Sequence, residues 1–466
     1  PTPFLSSFTI VSGYGTRPNQ GTVRDIAGRA RLCRRKRLSP GWLVSRREME
    51  YKVDQMRRLP KSWVVTGSAS LTFGFTRGIH SSFGVFYVAL LENFGWSRGT
   101  TAGVYSMNLL VDAIASPIVG HLLDRHGPKR IVGLGCILLA LGLLLSSLIR
   151  SLWEFYIFFG LVSALGLSFM GHVPHVVLIS EWFSSKRAFA LGVVYSATGV
   201  GIMLLVPTTQ WLISRWGWAW VFQALAALVL LILMPLALGF YRHGPYFEGS
   251  PRDLTEPRNQ WTARLALRSL QFWLLFFARV SASSGTMVVV THQVAHVVDI
   301  GYRPFFAATV FGLMGITSTF GRLIFGYIAD LFSRQTAYTL NILTALVGIG
   351  ALIAARDLSQ PWLLYVYLLF FGVAFGSRAV ILSALSADIF SGKGFGSIFG
   401  FAAISVGIGG ALGSWLGGVL YDVTGSYLMS LVYSIAVLTV SVLSIWLASS
   451  GWVISYDKRL WPSDKP

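Results

Sequence analysis

The chain is 466 residues long, with 54% hydrophobic and only 12% charged residues and a mean hydropathy of +0.61. Soluble domains carry about a quarter charged residues, so this composition excludes a chain clothed in a water-facing surface and places it in a bilayer. The formal charge of +19 does not mark a nucleic-acid-binding face: fourteen Lys and Arg fall within residues 1–61, and most others sit singly or in pairs between apolar runs, which is a topology signal.

Residues 1–61 are a basic segment. The stretch "RDIAGRARLCRRKRLSPGWLVSRRE" lacks the apolar core of a secretory signal. The first methionine is Met49, so residues 1–48 read either as upstream sequence absent from the mature protein or as a disordered basic arm on the cytosolic side. Twelve runs follow, each near the roughly 20 apolar residues that cross a hydrocarbon core. They lie at 63–92, 99–123, 131–149, 153–182, 188–214, 217–240, 269–297, 303–329, 336–354, 362–389, 396–420 and 427–449. The one long polar connection, 242–268, separates a six-helix half at 62–241 from a second at 269–450, and 451–466 form a polar tail.

Cations in short loops tend to stay in the cytoplasm. Arg57, Arg58 and Lys61 precede the first run, and alternate connections hold Arg125, Lys129 and Arg130, then Lys186 and Arg187, the linker, Arg334 and Lys393, and finally the tail. Both termini are therefore expected on the cytoplasmic side of the cell (inner) membrane.

The two halves echo each other. "GWSR" starts at Gly95 and "GHLLD" at Gly120; "GYRP" starts at Gly301 and "GYIAD" at Gly326, an offset of 206 at both places. "FSSKR" at Phe183 returns as "FSGKG" at Phe390, an offset of 207. The expected fold is thus an all-α membrane protein of twelve transmembrane helices in two pseudo-symmetric six-helix halves.

Between the second and third runs stands "GHLLDRHGPKR", with Gly120, Asp124, Arg125, Gly127, Lys129 and Arg130; its second copy, Gly326, Asp330, Ser333 and Arg334, is degraded. This spacing resembles the loop signature of the major facilitator superfamily. Glycine lets helices approach, and Asp124 is expected to latch the halves by pairing with Arg187 or the start of the eleventh helix. "SSFGVFYVALLENFGWSRGTTAG", "EWFSSKRAFALGV" and "GRLIFGYIADLFS" further resemble the bacterial branch of the monocarboxylate-transporter and oxalate/formate-exchanger group. That resemblance implies the major facilitator fold and movement of small organic carboxylate anions, monocarboxylates favoured, by proton symport or exchange for a counter-anion. Oxalate exchangers use a lysine in the eleventh helix, and none stands in "GSIFGFAAISVGIGGALGSWLGGVL".

Ionisable side chains at membrane depth are costly and usually face a cavity. Here they are Arg77 and His80 in the first run, Asp112 in the second, His172 and His175 in the fourth, Arg279 in the seventh, Arg322 in the eighth and Arg378 in the tenth. In the superfamily, helices 1, 4, 7 and 10 line the central cavity, flanked by 2 and 8. Arginine keeps its proton and grips a carboxylate through two parallel hydrogen bonds, so Arg322, at the family's substrate arginine, and Arg378 are the substrate-binding candidates, with Arg77, Arg279 and His80 beside them. Arg77 and Arg279 serve equally well to close ion pairs or bind broken backbone. Asp112, His172 and His175 are the proton-coupling candidates. The competing roles are a permanent ion pair of Asp112 with Arg77 or Arg378, and histidines that satisfy carbonyls freed by a kink at Pro174.

His292 and His296, four apart, read as a solvated rim and not a metal site. Cys33 and Cys136 give neither a disulfide framework nor a zinc spacing. No phosphate-cradling loop or catalytic constellation is present, so no cofactor and no enzyme activity is expected. Three functions remain open: carboxylate transport, efflux of a bulkier amphipathic compound on the same fold, and anion binding by a receptor or scaffold without translocation.

Overall fold

A segment in hydrocarbon must satisfy its backbone polar groups internally, and each of the twelve predicted runs does so as helix. The computed structural model describes residues 46–183, 187–241, 244, 261, 263–390, 395–450 and 453. Helix α1 spans Arg46–Ser81 and resumes after Ser82 as Phe83–Phe94. It is followed by α2 (Arg98–Leu123), α3 (Arg125–Ser146) and α4 (Leu152–Trp182). A 52-residue stretch, Phe189–Phe240, breaks at Gly217 into α5 (187–216) and α6 (218–240). The second half comprises α7 (Leu270–Asp299), α8 (Pro304–Leu331), α9 (Arg334–Ala354), α10 (Trp362–Ile389), α11 (Phe395–Thr424) and α12 (Leu428–Ala448). Ten helices among the described residues are long and apolar enough to cross a membrane. The count of twelve is recovered because one of them holds both α5 and α6, and because α1 is the more polar remaining span.

Three local features depart from the sequence reading. Helix α1 starts at Arg46, well before residue 63. The linker contains one helical turn, Ala263–Ala266. Helix α4 is not continuous: a π-helical stretch, Tyr156–Ser163, leads to a break at Met170 and Gly171, and the helix restarts at His172. Pro174 therefore does not kink the helix from within. It lies in the first turn of the restarted piece, where a missing N–H leaves no partner wanting.

Positive-φ glycines confirm the internal repeat. Gly95 and Gly301, 206 residues apart, both take left-handed φ, 66° and 105°. Gly127 (φ 74°, ψ 163°) and Gly217 (φ 80°, ψ 162°) reverse the chain with nearly the same geometry between α2 and α3 and between α5 and α6. A Cβ at such angles is strained, so glycine suits both reversals.

Lipid gives little hydrophobic drive between helices, so small residues and close contact hold the halves together. The halves meet where α2 packs on α11, α5 on α8, and the second piece of α1 on α7. Gly199 and Gly315 face each other backbone to backbone, Gly312 lies on Pro207, Gly407 on Ala113, and Gly418 on Arg98 and Gly99. Gly192 of α5 and Gly326 of α8, by contrast, have nothing within 4 Å of an added Cβ. A Gly199→Ala side chain would overlap the Gly315 carbonyl, so this variant should be destabilised by roughly 1–3 kcal/mol. Gly192→Ala should unfold at or slightly above the wild-type temperature, as thermal denaturation in detergent would show.

Candidate functional site

The second half holds three arginines at membrane depth, and each is treated differently. Arg279 on α7 is buried, its Nη2 donating to the Leu382 carbonyl at 3.0 Å and to Ser386 Oγ at 2.8 Å, which ties α7 to α10. Arg322 on α8 gives Nε to the Gly376 carbonyl (3.2 Å) and Nη1 to the Tyr195 carbonyl (2.9 Å), joining α8 to α10 and, across the halves, to α5. Arg378 on α10 is only 5% exposed. Its Nη1 donates to Thr286 Oγ1 on α7, and its guanidinium carbon lies 5.7 Å from the centre of the Phe371 ring. Nε and Nη2 have no hydrogen-bond partner among the described residues. Those two donors share one edge of the guanidinium plane, the edge that takes both oxygens of a carboxylate. Arg322 and Arg378 flank α10 but reach toward different helices, α5 and α7, so their described contacts do not close on a common point.

In the first half, Arg77 stands 5.4 Å from the Phe73 ring centre, with Nη2 near Gly171 at the α4 break. It lies close enough to act electrostatically on His80, Tyr105, His172 and His175. His80 Nδ1 is 3.3 Å from Tyr105 Oη. Asp112 is half-buried and accepts from Ser168 Oγ at 2.7 Å. Neither Arg77 nor Arg378 forms the ion pair with Asp112 that the sequence offered as an alternative: among the described residues no such pair lies within 4.0 Å.

The two α4 histidines part company. His175 is fully buried, its Nδ1 2.7 Å from the Gly171 carbonyl and its Nε2 2.9 Å from Tyr241 Oη. A carbonyl can only accept, so Nδ1 carries the proton and Nε2 accepts from the tyrosine. His175 thus repairs the break in α4. His172 is exposed, edge-on to Phe73 and Tyr195 at 4.9 and 5.1 Å, within electrostatic reach of Arg77 and Arg322.

Within the loop signature, Gly127 supplies the reversal, Gly120 faces Val173, and Arg125, Lys129 and Arg130 are exposed. The side chains of Asp124, Arg187 and Asp330 lie outside the described residues, and with them the expected latch at that end. His292 and His296 are not a solvated rim. His292 is 2% exposed and binds the Ser414 carbonyl, and His296 faces the Leu352 carbonyl.

A latch that the sequence reading missed closes the opposite end. Arg98, at the start of α2, grips Asp299 of α7 through both terminal nitrogens (2.7 and 2.8 Å) and donates to Tyr427 Oη. Its guanidinium carbon is 3.8 Å from the Tyr421 ring centre. Asp422 of α11 accepts from the Arg98 and Gly99 amides, capping α2 from the other half. The available signal was charge placement: Asp299 and Asp422 sit in the last turns of α7 and α11, where the helix dipole disfavours an acid that has no partner.

Residues 67–377 match the Major Facilitator Superfamily. Monocarboxylate transporter 13 of Bos taurus is 29% identical over 401 residues, covering 84% of this chain and 88% of its own length. Monocarboxylate transporter 11 of Homo sapiens is 27% identical over 389 residues, covering 80% and 79%. Among solved structures, a bacterial homologue of the human lysosomal transporter Spinster, inward-facing and unoccupied, shares the fold with a TM-score of 0.67 at 15% identity, over 87% of this chain and 99% of that one.

The latch predicts a measurable opening. With spin labels at Thr100→Cys and Val423→Cys, Arg98→Gln should broaden and lengthen the distance distribution across the α2–α11 contact. An unchanged distribution would assign the closure to helix packing alone.

Proposed function

The chain belongs to the Major Facilitator Superfamily and is monocarboxylate-transporter-like, and we propose that it carries small organic monocarboxylates across the cell (inner) membrane by alternating access, with both termini cytoplasmic. The observation that carries the reading is Arg378. A cation that cannot shed its proton is buried, one terminal nitrogen is fixed by Thr286, and the adjoining two-donor edge is unpartnered among the described residues. A buried donor left unmade is expensive, and a carboxylate answers both donors at once. The match to monocarboxylate transporters supports that choice of anion. Arg77, His80 and the exposed His172 stand on the first half, and on this reading they meet the remainder of the substrate.

The driving species is a proton or a counter-anion. Closure at the Arg98 latch, at the end opposite the Gly120 loop, supports a two-ended cycle in which the halves rock about the middle of the membrane.

Arg378→Lys keeps the charge but loses the fork, and Arg378→Gln loses both. Charge-assisted hydrogen bonds are worth about 1.5–3 kcal/mol, so the Gln variant should bind lactate or pyruvate roughly ten- to a hundredfold more weakly, with Lys between it and wild type. Ligand-induced thermal shifts and uptake into proteoliposomes check this. Wild-type affinity in the Gln variant would remove Arg378 from the site, and saturable binding without accumulation would make the protein a receptor.

A further inference from the structure

We propose that Asp112 and Ser168 form the proton-loading pair that couples transport to a proton gradient; the inference rests on the transport reading above. Asp112 differs from the other ionisable groups at membrane depth in being an acid, and it has no cation within ion-pair distance among the described residues. Its contact is a hydroxyl. Ser168 Oγ lies 2.7 Å from Asp112 Oδ1 and 3.0 Å from the Ala164 carbonyl oxygen. One hydroxyl proton therefore has two acceptors within reach.

That geometry accommodates both protonation states without orphaning a polar group. With Asp112 ionised, Ser168 donates to the carboxylate. When a proton from water adds to the carboxylate oxygen, the new O–H donates to Ser168 Oγ, and the serine hydroxyl turns to the Ala164 carbonyl. One O–H bond forms on loading and breaks on release, and nothing is oxidised or reduced. A carboxylate clamped by arginine would resist this exchange, because its ionised form would be held by the pair.

Position adds the link to conformational change. Ala113, the next residue, packs on Gly407 of α11, so Asp112 sits beside a contact between the halves. Ser168 is in the last turn of α4 before the break at Met170 and Gly171. The titratable and charged groups around the pair are few. Arg77 from α1 and Tyr105 on α2 share its neighbourhood, His172 lies one turn further along α4, and α11 carries no titratable residue before Tyr421.

Two readouts test the pair in the full-length protein. In infrared difference spectra between acid and alkaline buffer, wild type should show a carboxylic C=O band that is lost in Asp112→Asn and shifted in frequency in Ser168→Ala. This arm requires no substrate, so it stands even if the transport reading fails. In proteoliposomes, a pH gradient should concentrate labelled lactate in wild type. Asp112→Asn should abolish accumulation while lactate counterflow persists, Asp112→Glu should restore it in part, and Ser168→Ala should move the pH of half-maximal accumulation upward because the ionised carboxylate loses its donor. A band unaffected by Asp112→Asn, or undiminished accumulation in that variant, would overturn the proposal. Absence of lactate binding and counterflow in wild type would instead count against the transport reading.

Discussion

A guanidinium in a bilayer core can neither lose its proton nor find bulk water, and the arrangement of the inner helices follows from how that constraint is met at each arginine. Arg279 gives one terminal nitrogen to the Leu382 carbonyl and Ser386, and Arg322 gives Nε and Nη1 to two helix carbonyls. Each of these bonds also joins helices: α7 to α10, α8 to α10, and α8 to α5. Arg77 takes the face of Phe73. Arg378 is held on one side by Thr286 and keeps an unsatisfied edge, an expense that a structural arginine with carbonyls nearby could have avoided. The contrast among the three arginines of one half is what gives Arg378 its weight.

The same constraint acts at the ends of the helices. Asp299 and Asp422 would oppose the dipoles of α7 and α11 if alone; against Arg98 and the free amides of α2 they become the seam between the halves. A seam of ion pairs and amide caps can separate and re-form, because each group can return to water at the membrane surface. The apolar contact of Gly199 with Gly315 acts differently. It admits no intervening side chain, and so it fixes how closely α5 and α8 approach.

Much of the fold was legible because period, length and charge placement are written locally. Twelve apolar runs, the 206-residue echo and the Gly127 signature all correspond to helices and left-handed glycines in the structure. Local pattern could not show that α4 breaks before Pro174, since π-helical turns and a histidine that repairs a carbonyl are settled by tertiary partners such as Tyr241. It equally could not tell which arginines are already satisfied. Arg279, Arg322 and Arg378 look alike along the chain, and only the carbonyls and hydroxyls opposite them set them apart. The Arg98 latch was missed for a related reason: a single loop cation reads as topology until the acids that face it, some 200 and 324 residues away, are brought into register.

The repeat makes the division of labour sharper. Between the glycines that fix the offset of 206, Asp112 and Ser116 of α2 correspond to Ser318 and Arg322 of α8, and His172 of α4 falls within one residue of the counterpart of Arg378. At the places equivalent to Arg322 and Arg378, then, the first half carries a hydroxyl and an imidazole, and its acid Asp112 stands opposite a serine. On the proposed reading, the anion anchor lies on one half and the proton-accepting groups lie on the other. On the transport reading, a substrate bound to Arg378 cannot be enclosed without the first half closing over it, and the protonation state of that half then bears directly on which end of the bundle can open.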